Sequence, residues 1–263
     1  MEGSWGWKEF GKVRCINLYT RDDRYQSSMV TFNSLDIPVN YFRTHKHPQG
    51  GARGCFESHR AVIRDAYASG VDTLLVFEDD LLATKWCTPA RLAEVLDFLK
   101  SNQDWTIFFL GISPDILSSK TSHVQGNIYG IHGLMTHAYV VSRKGMKLLN
   151  RLTYRGVPID QIYKHIPECY SIYPSMFTQL PGVSDIGGDP TSTLDVRSSV
   201  QQAVEWYSVN VNVPVSVWIF LGVTTPLVGA CLLLTSLAWL WILVIMVVYF
   251  CLAFVIISQP GSG

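Results

Sequence analysis

Between residues 12 and 180 the chain alternates short runs of β-forming residues with segments whose apolar positions recur at helical spacing. "KVRCINLY" (12–19) alternates loosely and predicts a first strand. Tyr25, Met29, Phe32 and Leu35 then fall on one face of a helix, and "PVNYFRTH" (38–45) predicts a second strand. "GGARGC" (50–55) is expected to be a loop, opening a helix over "FESHRAVIRDAYASG" that stops at Gly70. "DTLLVF" (72–77) predicts a buried strand. Thr88 and Pro89 have the order of a helix cap and first turn, with Leu92, Val95, Leu96 and Leu99 as the buried stripe. "WTIFFLG" and "THAYVVS" predict strands. Ser142 caps a helix carrying Met146, Leu148, Leu149 and Leu152, "PIDQIYKHI" is a further helical piece, and "YSIYP" a last strand. The Gly- and Pro-rich stretch from Met176 is expected to be loop. Strands alternating with helices predict an α/β sandwich around a mainly parallel sheet. Ligands of such sheets sit at the carboxyl ends of strands.

The apolar pattern changes after residue 205. All 42 charged residues, 21 basic and 21 acidic, lie at or before Glu205. The stretch Val213–Ser258 is uncharged and mostly apolar, and about twice the roughly 20 residues that span a bilayer. Two spans are expected, Val215–Leu234 and Leu237–Ile257, giving a domain at 1–205 and a membrane region at 213–258. Lys8, Glu9 and Lys12 interrupt the first residues, which do not read as a signal peptide. No Asn-x-Ser/Thr site is present. The six cysteines form no CxxC pair and read as reduced structural thiols. A catalytic domain on the cytosolic face of a membrane is the expectation. Zero net charge and the lack of a basic stripe argue against a nucleic-acid partner.

The chemistry concentrates in "TLLVFEDDLLAT" (73–84), where Glu78, Asp79 and Asp80 leave a buried strand together. Three adjacent carboxylates repel one another unless a cation joins them, and Mg²⁺ or Mn²⁺ takes such oxygen ligands with phosphates completing the shell. A solvated acidic turn is the alternative. Asn17, Arg21 and Arg24 follow the first strand, and guanidinium forks match phosphate. Ser58 and His59 are expected in the first turn of the second helix, where an anion is favoured. His45 and His47 share a strand face but have no third ligand nearby, so they read as surface loop.

Four blocks occur in order over roughly residues 12–160: "INLYTRDDR", "GCFESHRAVIRDA", "LLVFEDDLL", and "THAYVVSRKGMKLL" followed by "PID". Together they resemble glycosyltransferase family 25, which includes bacterial lipooligosaccharide glycosyltransferases and collagen galactosyltransferases. The resemblance implies a GT-A-like, Rossmann-related fold and a nucleotide-sugar donor, commonly UDP-galactose, with a Mn²⁺-type ion. It implies that Glu78, Asp79 and Asp80 form the metal motif, with Asp80 foremost. It places Asn17, Arg21, Arg24, Ser58 and His59 against the nucleotide sugar. Transfer with inversion needs a general base for the acceptor hydroxyl of a glycan, protein or lipid-linked molecule. Asp160 and Asp185 are both candidates, and the residues do not choose between them. The apolar tail has no counterpart in that pattern.

Two other readings use the same residues. A metal-dependent nucleotidyltransferase or phosphohydrolase would need further carboxylates, for which Asp104 and Asp115 are available. A non-catalytic membrane-anchored binding module would need none of the chemistry.

Overall fold

The computed structural model of the chain describes residues 5–112, 119–132, 136–180 and 244–249. The chain divides into two compact units, Met1–Asn210 and Val211–Gly263. Of the second, residues 244–249 are described, and they are helical. Among the described residues no helix is long and apolar enough to cross a membrane. The two expected spans lie outside the described residues apart from 244–249, and Asp115 and Asp185 lie outside them too.

The first unit opens with a short 3-10 turn, Trp7–Glu9, and then builds an eight-stranded sheet. Its strands are β1 (Lys12–Leu18), β2 (Asn40–Thr44), β3 (Thr73–Glu78), β5 (Ile107–Gly111), β6 (Ser119–Gln125), β7 (Ile128–His132), β8 (Ala138–Ser142) and β9 (Cys169–Ile172). Their spatial order is β2-β1-β3-β8-β5-β9-β7-β6. Two short strands, β4 (Leu81–Ala83) and β10 (Phe177–Gln179), form a separate antiparallel ribbon. The helices are α1 (Asp22–Ser34), α2 (Gly51–Ala68), α3 (Pro89–Ser101), α4 (Arg143–Leu149) and α5 (Ile159–Tyr163).

The sheet is mixed rather than mainly parallel. β1 runs parallel to β2 and β3, and β5 to β9, while β8 lies antiparallel between β3 and β5. The connections explain the difference. Helical crossovers α1 and α2 return the chain in the same direction, as parallel pairing requires. β5 instead reaches β8 through the β6–β7 hairpin, with no helix among the described residues between them, and this connection admits an antiparallel neighbour. The apolar pattern predicts neither that hairpin nor the β4–β10 ribbon.

The central strands bury both faces. Leu75 and Phe77 join Phe32 of α1, Leu92 and Val95 of α3, and Phe108, Leu110 and Val140 in one cluster. Leu74 and Val76 point the other way, to Val62 and Ile63 of α2, Met146 of α4 and Ile159 of α5. Each fully buried Leu, Val or Phe contributes about 1.5–3 kcal/mol relative to exposure. That two-sided burial fixes the register of β3, because a one-residue slip would exchange its two faces.

Local chemistry sets the helix ends. The Thr88 hydroxyl accepts from Arg91 N at 3.4 Å with Pro89 at the first position, as expected. Ser142 Oγ accepts from Gly145 N at 3.0 Å. α2 departs from expectation at its start. "GARGC" is helix rather than loop, beginning at Gly51. Gly54 permits this, since a Cβ there would stand 3.0 Å from His47 Cβ. Ser58 and His59 are therefore the eighth and ninth residues of α2, well inside the helix. The helix-terminus reason given for an anion near them does not hold.

Candidate functional site

β3 delivers Glu78 as its last residue, and the chain turns at Asp79 and Asp80 into β4. Gln179, at the end of β10, lies over the same turn, and Leu180 N donates to Asp80 O at 2.5 Å. The three acids do not share one environment. Asp79 and Asp80 turn to one side, towards β1 and α1, and Glu78 to the other, towards α2.

On the first side, Asn17 Nδ2 donates to Asp79 Oδ2 at 2.6 Å and to Arg21 O at 3.0 Å. Arg24 Nη1 stands 2.9 Å from Asp80 Oδ2 and 3.4 Å from Asp79 Oδ1. Gln179 Nε2 donates to Asp80 Oδ2 at 2.8 Å. Arg43, the β2 partner of Asn17, donates from Nε to Asn17 Oδ1 at 2.8 Å. Its guanidinium lies over the rings of Tyr19 and Tyr25. Arg21 forks onto Asp23 at the exposed start of α1, at 3.0 and 2.9 Å. Asn17, Arg24, Asp79 and Asp80 thus form one connected cluster, with Arg21 at its margin.

Asp79 and Asp80 are only 6% and 4% exposed. Burial raises the carboxyl of Asp79, against the hydrogen bond from Asn17. Burial, then repulsion from Glu78, pushes Asp80 up to about 7, with Arg24 and Gln179 opposing. Asp80 Oδ1 is buried and accepts no hydrogen bond. A buried carboxylate oxygen without a donor is costly, and one more cation would relieve it. The donor set therefore fits a hard divalent ion held by Asp80 and Asp79.

On the second side, Thr136 Oγ1 donates to Glu78 Oε1 at 2.6 Å, and His59 Nε2 lies 3.3 Å from the same oxygen. His59 Nδ1 is 2.7 Å from the Tyr139 hydroxyl. Burial alone would raise Glu78, but the hydrogen bond and charge of His59, with Thr136, hold it at about 2. His59 is buried, and Ser58 Oγ donates back to Gly54 O at 2.7 Å within α2. Asp160 lies in the first turn of α5, half-buried, its Oδ1 accepting from Gln161 N at 2.8 Å. Burial raises its carboxyl, and repulsion from Glu78 adds to the rise. Asp104 pairs at the surface with Lys144, away from the acids of β3. His47 Nδ1 accepts from Gln49 N at 3.1 Å, a loop contact.

Sequence reasoning misses Gln179, Thr136, Arg43, Cys55 and Tyr139. Gln179 sits in a segment without readable periodicity, and Thr136 opens the predicted strand "THAYVVS" with nothing local to mark its contact with Glu78. Arg43 is hidden because its partner Asn17 is a neighbour only through sheet pairing. Spacing alone could have found Cys55, four residues before His59 on one helix face.

The chain matches no family model and no curated protein. Among solved structures it is similar to a glycosyltransferase involved in glycosylation of the major capsid of PBCV-1. That likeness covers 73% of this chain and 100% of the other, at 10% identity and a TM-score of 0.40. A mannose-1-phosphate geranyltransferase from Thermus thermophilus is similar over 64% and 76% of the two chains, at 9% identity and a TM-score of 0.39. A UDP-glucose pyrophosphorylase complexed with UDP-glucose is similar over 73% and 80%, at 12% identity and a TM-score of 0.37. Each is a likeness of general chain course at low identity.

Proposed function

We propose that the chain is a metal-assisted glycosyltransferase that moves a hexose from a UDP-sugar to an acceptor hydroxyl with inversion. The observation that carries this reading is the buried, donorless Oδ1 of Asp80 beside Arg24 at the carboxyl edge of β3. Such an oxygen calls for a cation, and a cation beside arginines calls for phosphate. The choice of a sugar donor rests on the resemblance of the four ordered blocks to glycosyltransferase family 25.

In this reading Asp80 and Asp79 hold a Mn²⁺ or Mg²⁺ ion, which when bound supplies positive charge to the donor's diphosphate. Arg24 adds fixed positive charge where the leaving diphosphate becomes more negative. Arg21, freed from Asp23, reaches the same phosphates. Asn17 orients Asp79 and is itself oriented by Arg43. Asp160, its carboxyl raised by burial and by Glu78, takes the proton of the acceptor hydroxyl at its carboxylate oxygen. Asp185 is the other candidate for that step. Ser58 and His59 support the donor side from within α2.

The apolar stretch Val213–Ser258 anchors the chain in a membrane with its first unit on the cytosolic face, where a lipid-linked or other membrane-borne acceptor meets the site. Lipid is thus a partner and nucleic acid is not.

The test is donor hydrolysis and transfer by the full chain in detergent, with UDP-hexoses and nucleoside triphosphates compared, each with and without Mn²⁺. Divalent-dependent release of UDP that is abolished in Asp80→Asn is expected. Turnover of triphosphates alone, or undiminished activity in Asp80→Asn, overturns the reading.

A further inference from the structure

Behind the acids of β3 lies a second set of ligands, of which the donor-site reading uses only His59. Cys55 and His59 are separated by one turn of α2 and so lie on one helix face. Glu78 meets that face from the end of β3. A sulfur of Cys55, a ring nitrogen of His59 and a carboxylate oxygen of Glu78 all lie within 4.8 Å of one another. Among the described residues this is the one group of three or more such side chains.

We propose that Cys55, His59 and Glu78 form a thiolate-containing site for a borderline-soft divalent cation of the Zn²⁺ class, distinct from the hard-ion site at Asp79 and Asp80. Three features of the structure carry it. The ligand types are the cysteine, imidazole and carboxylate that zinc takes, and magnesium and manganese do not take the first. Ligands of one tetrahedral zinc lie roughly 3.5 Å apart, given bonds of about 2.0–2.3 Å, so the present spacing closes by small side-chain rotations. Two of the ligands are already oriented by neighbours. The Tyr139 hydroxyl is 2.7 Å from His59 Nδ1, which turns Nε2 towards Glu78, and the Thr136 hydroxyl anchors Glu78 at 2.6 Å. Such outer partners fix the ring and tune the ligand.

Binding is proton-coupled and otherwise needs no co-reactant. The Cys55 thiol gives its proton to solvent as sulfur bonds the ion. His59 keeps its Nδ1 proton, donated to the Tyr139 oxygen, and gives the Nε2 proton that it shares with Glu78 to solvent, leaving the Nε2 lone pair for the ion. Glu78 contributes a carboxylate oxygen, anchored by the Thr136 hydroxyl. The site shares His59 with the glycosyltransferase reading but uses neither Asp79 nor Asp80, so its thiolate signature is tested separately from that reading.

The experiment is titration of the reduced full chain in detergent with Co²⁺ alone, read by absorption, followed by displacement with Zn²⁺. A thiolate-to-cobalt charge-transfer band with tetrahedral visible absorption is expected, saturating at one equivalent and bleached by Zn²⁺. Asp80→Asn, which removes the hard-ion site, and Cys87→Ser, which removes another thiol, should both keep the band. Cys55→Ser should lose it. Tyr139→Phe should keep it with affinity weakened by about tenfold, and weakening by Cys55→Ser should be larger still. Circular dichroism of each variant confirms that the fold is retained. A spectrum with oxygen ligands only, a band that survives Cys55→Ser in folded protein, or no saturable cobalt binding overturns the proposal.

Discussion

Asp80→Asn should stabilise the metal-free protein at alkaline pH and not at acid pH. Asp80 is buried, and the folded state holds its proton up to about pH 7 against 3.8 for an ordinary aspartate. Between those values the folded chain binds more protons than the unfolded chain. Stability therefore falls as pH rises through that window, and the full penalty is present above pH 7. Integrated between pH 5 and pH 8, the part belonging to Asp80 is about 2–3 kcal/mol. Asparagine mimics the protonated acid. Its carbonyl oxygen keeps the bonds from Arg24 and Gln179, now 2.9 and 2.8 Å long, without the charge. The opposite sign applies at Glu78. Its lowered carboxyl contributes stability that is fully present above 4.5 and lost as pH falls towards about 2. Glu78 is therefore constant across the pH 5–8 window, and the comparison isolates Asp80.

The assay is thermal unfolding of wild type and Asp80→Asn in chelator at pH 5 and pH 8. For a folded unit of about 200 residues, 1 kcal/mol moves Tm by about 2–4 °C. The gap between variant and wild type should therefore widen by about 5–10 °C on going from pH 5 to pH 8. Adding Mn²⁺ and UDP at pH 8 should raise Tm of the wild type and leave the variant nearly unmoved. Equal pH dependence in the two proteins would show that Asp80 is an ordinary solvated acid. The cation demand inferred from its buried oxygen would go with it.

Asp160→Asn should lower kcat for transfer by at least about 100-fold while leaving donor KM within about twofold, measured by steady-state kinetics; an equal loss in both would assign it to binding. Gly111→Ala should destabilise by about 1–3 kcal/mol in denaturant unfolding, because a Cβ there collides with His137 Nε2 and lies 2.5 Å from Phe177 O. Activity should fall with it, since Phe177 opens the strand that brings Gln179 to Asp80. Thr88→Ala should cost about 1 kcal/mol by the same measurement through loss of the α3 cap, with activity per folded molecule unchanged.

What can be read in the sequence follows from the range of the forces involved. β3 is legible because "LLVF" is buried on both faces, and its carboxyl end follows from where the apolar run stops. The caps at Thr88 and Ser142 are legible because a cap is decided by three or four adjacent residues. The start of α2 misleads for the same local reason. Glycine disfavours helix interiors by about 1 kcal/mol, and the close approach of His47 that makes Gly54 useful is invisible in the local pattern. The acids of β3 show the limit most clearly. Adjacent carboxylates look like one cluster, yet an extended chain sends neighbouring side chains to opposite faces. Glu78 follows that alternation to His59 and α2, while the turn brings Asp79 and Asp80 together on Arg24. Which acid meets which cation is decided by pairings across 55 and 56 residues to Arg24, 62 to Asn17 and 99 to Gln179. Only the fold closes such distances. It divides one acidic triplet between a hard-oxygen environment and a sulfur-and-imidazole one, two chemistries that a single run of letters cannot hold apart.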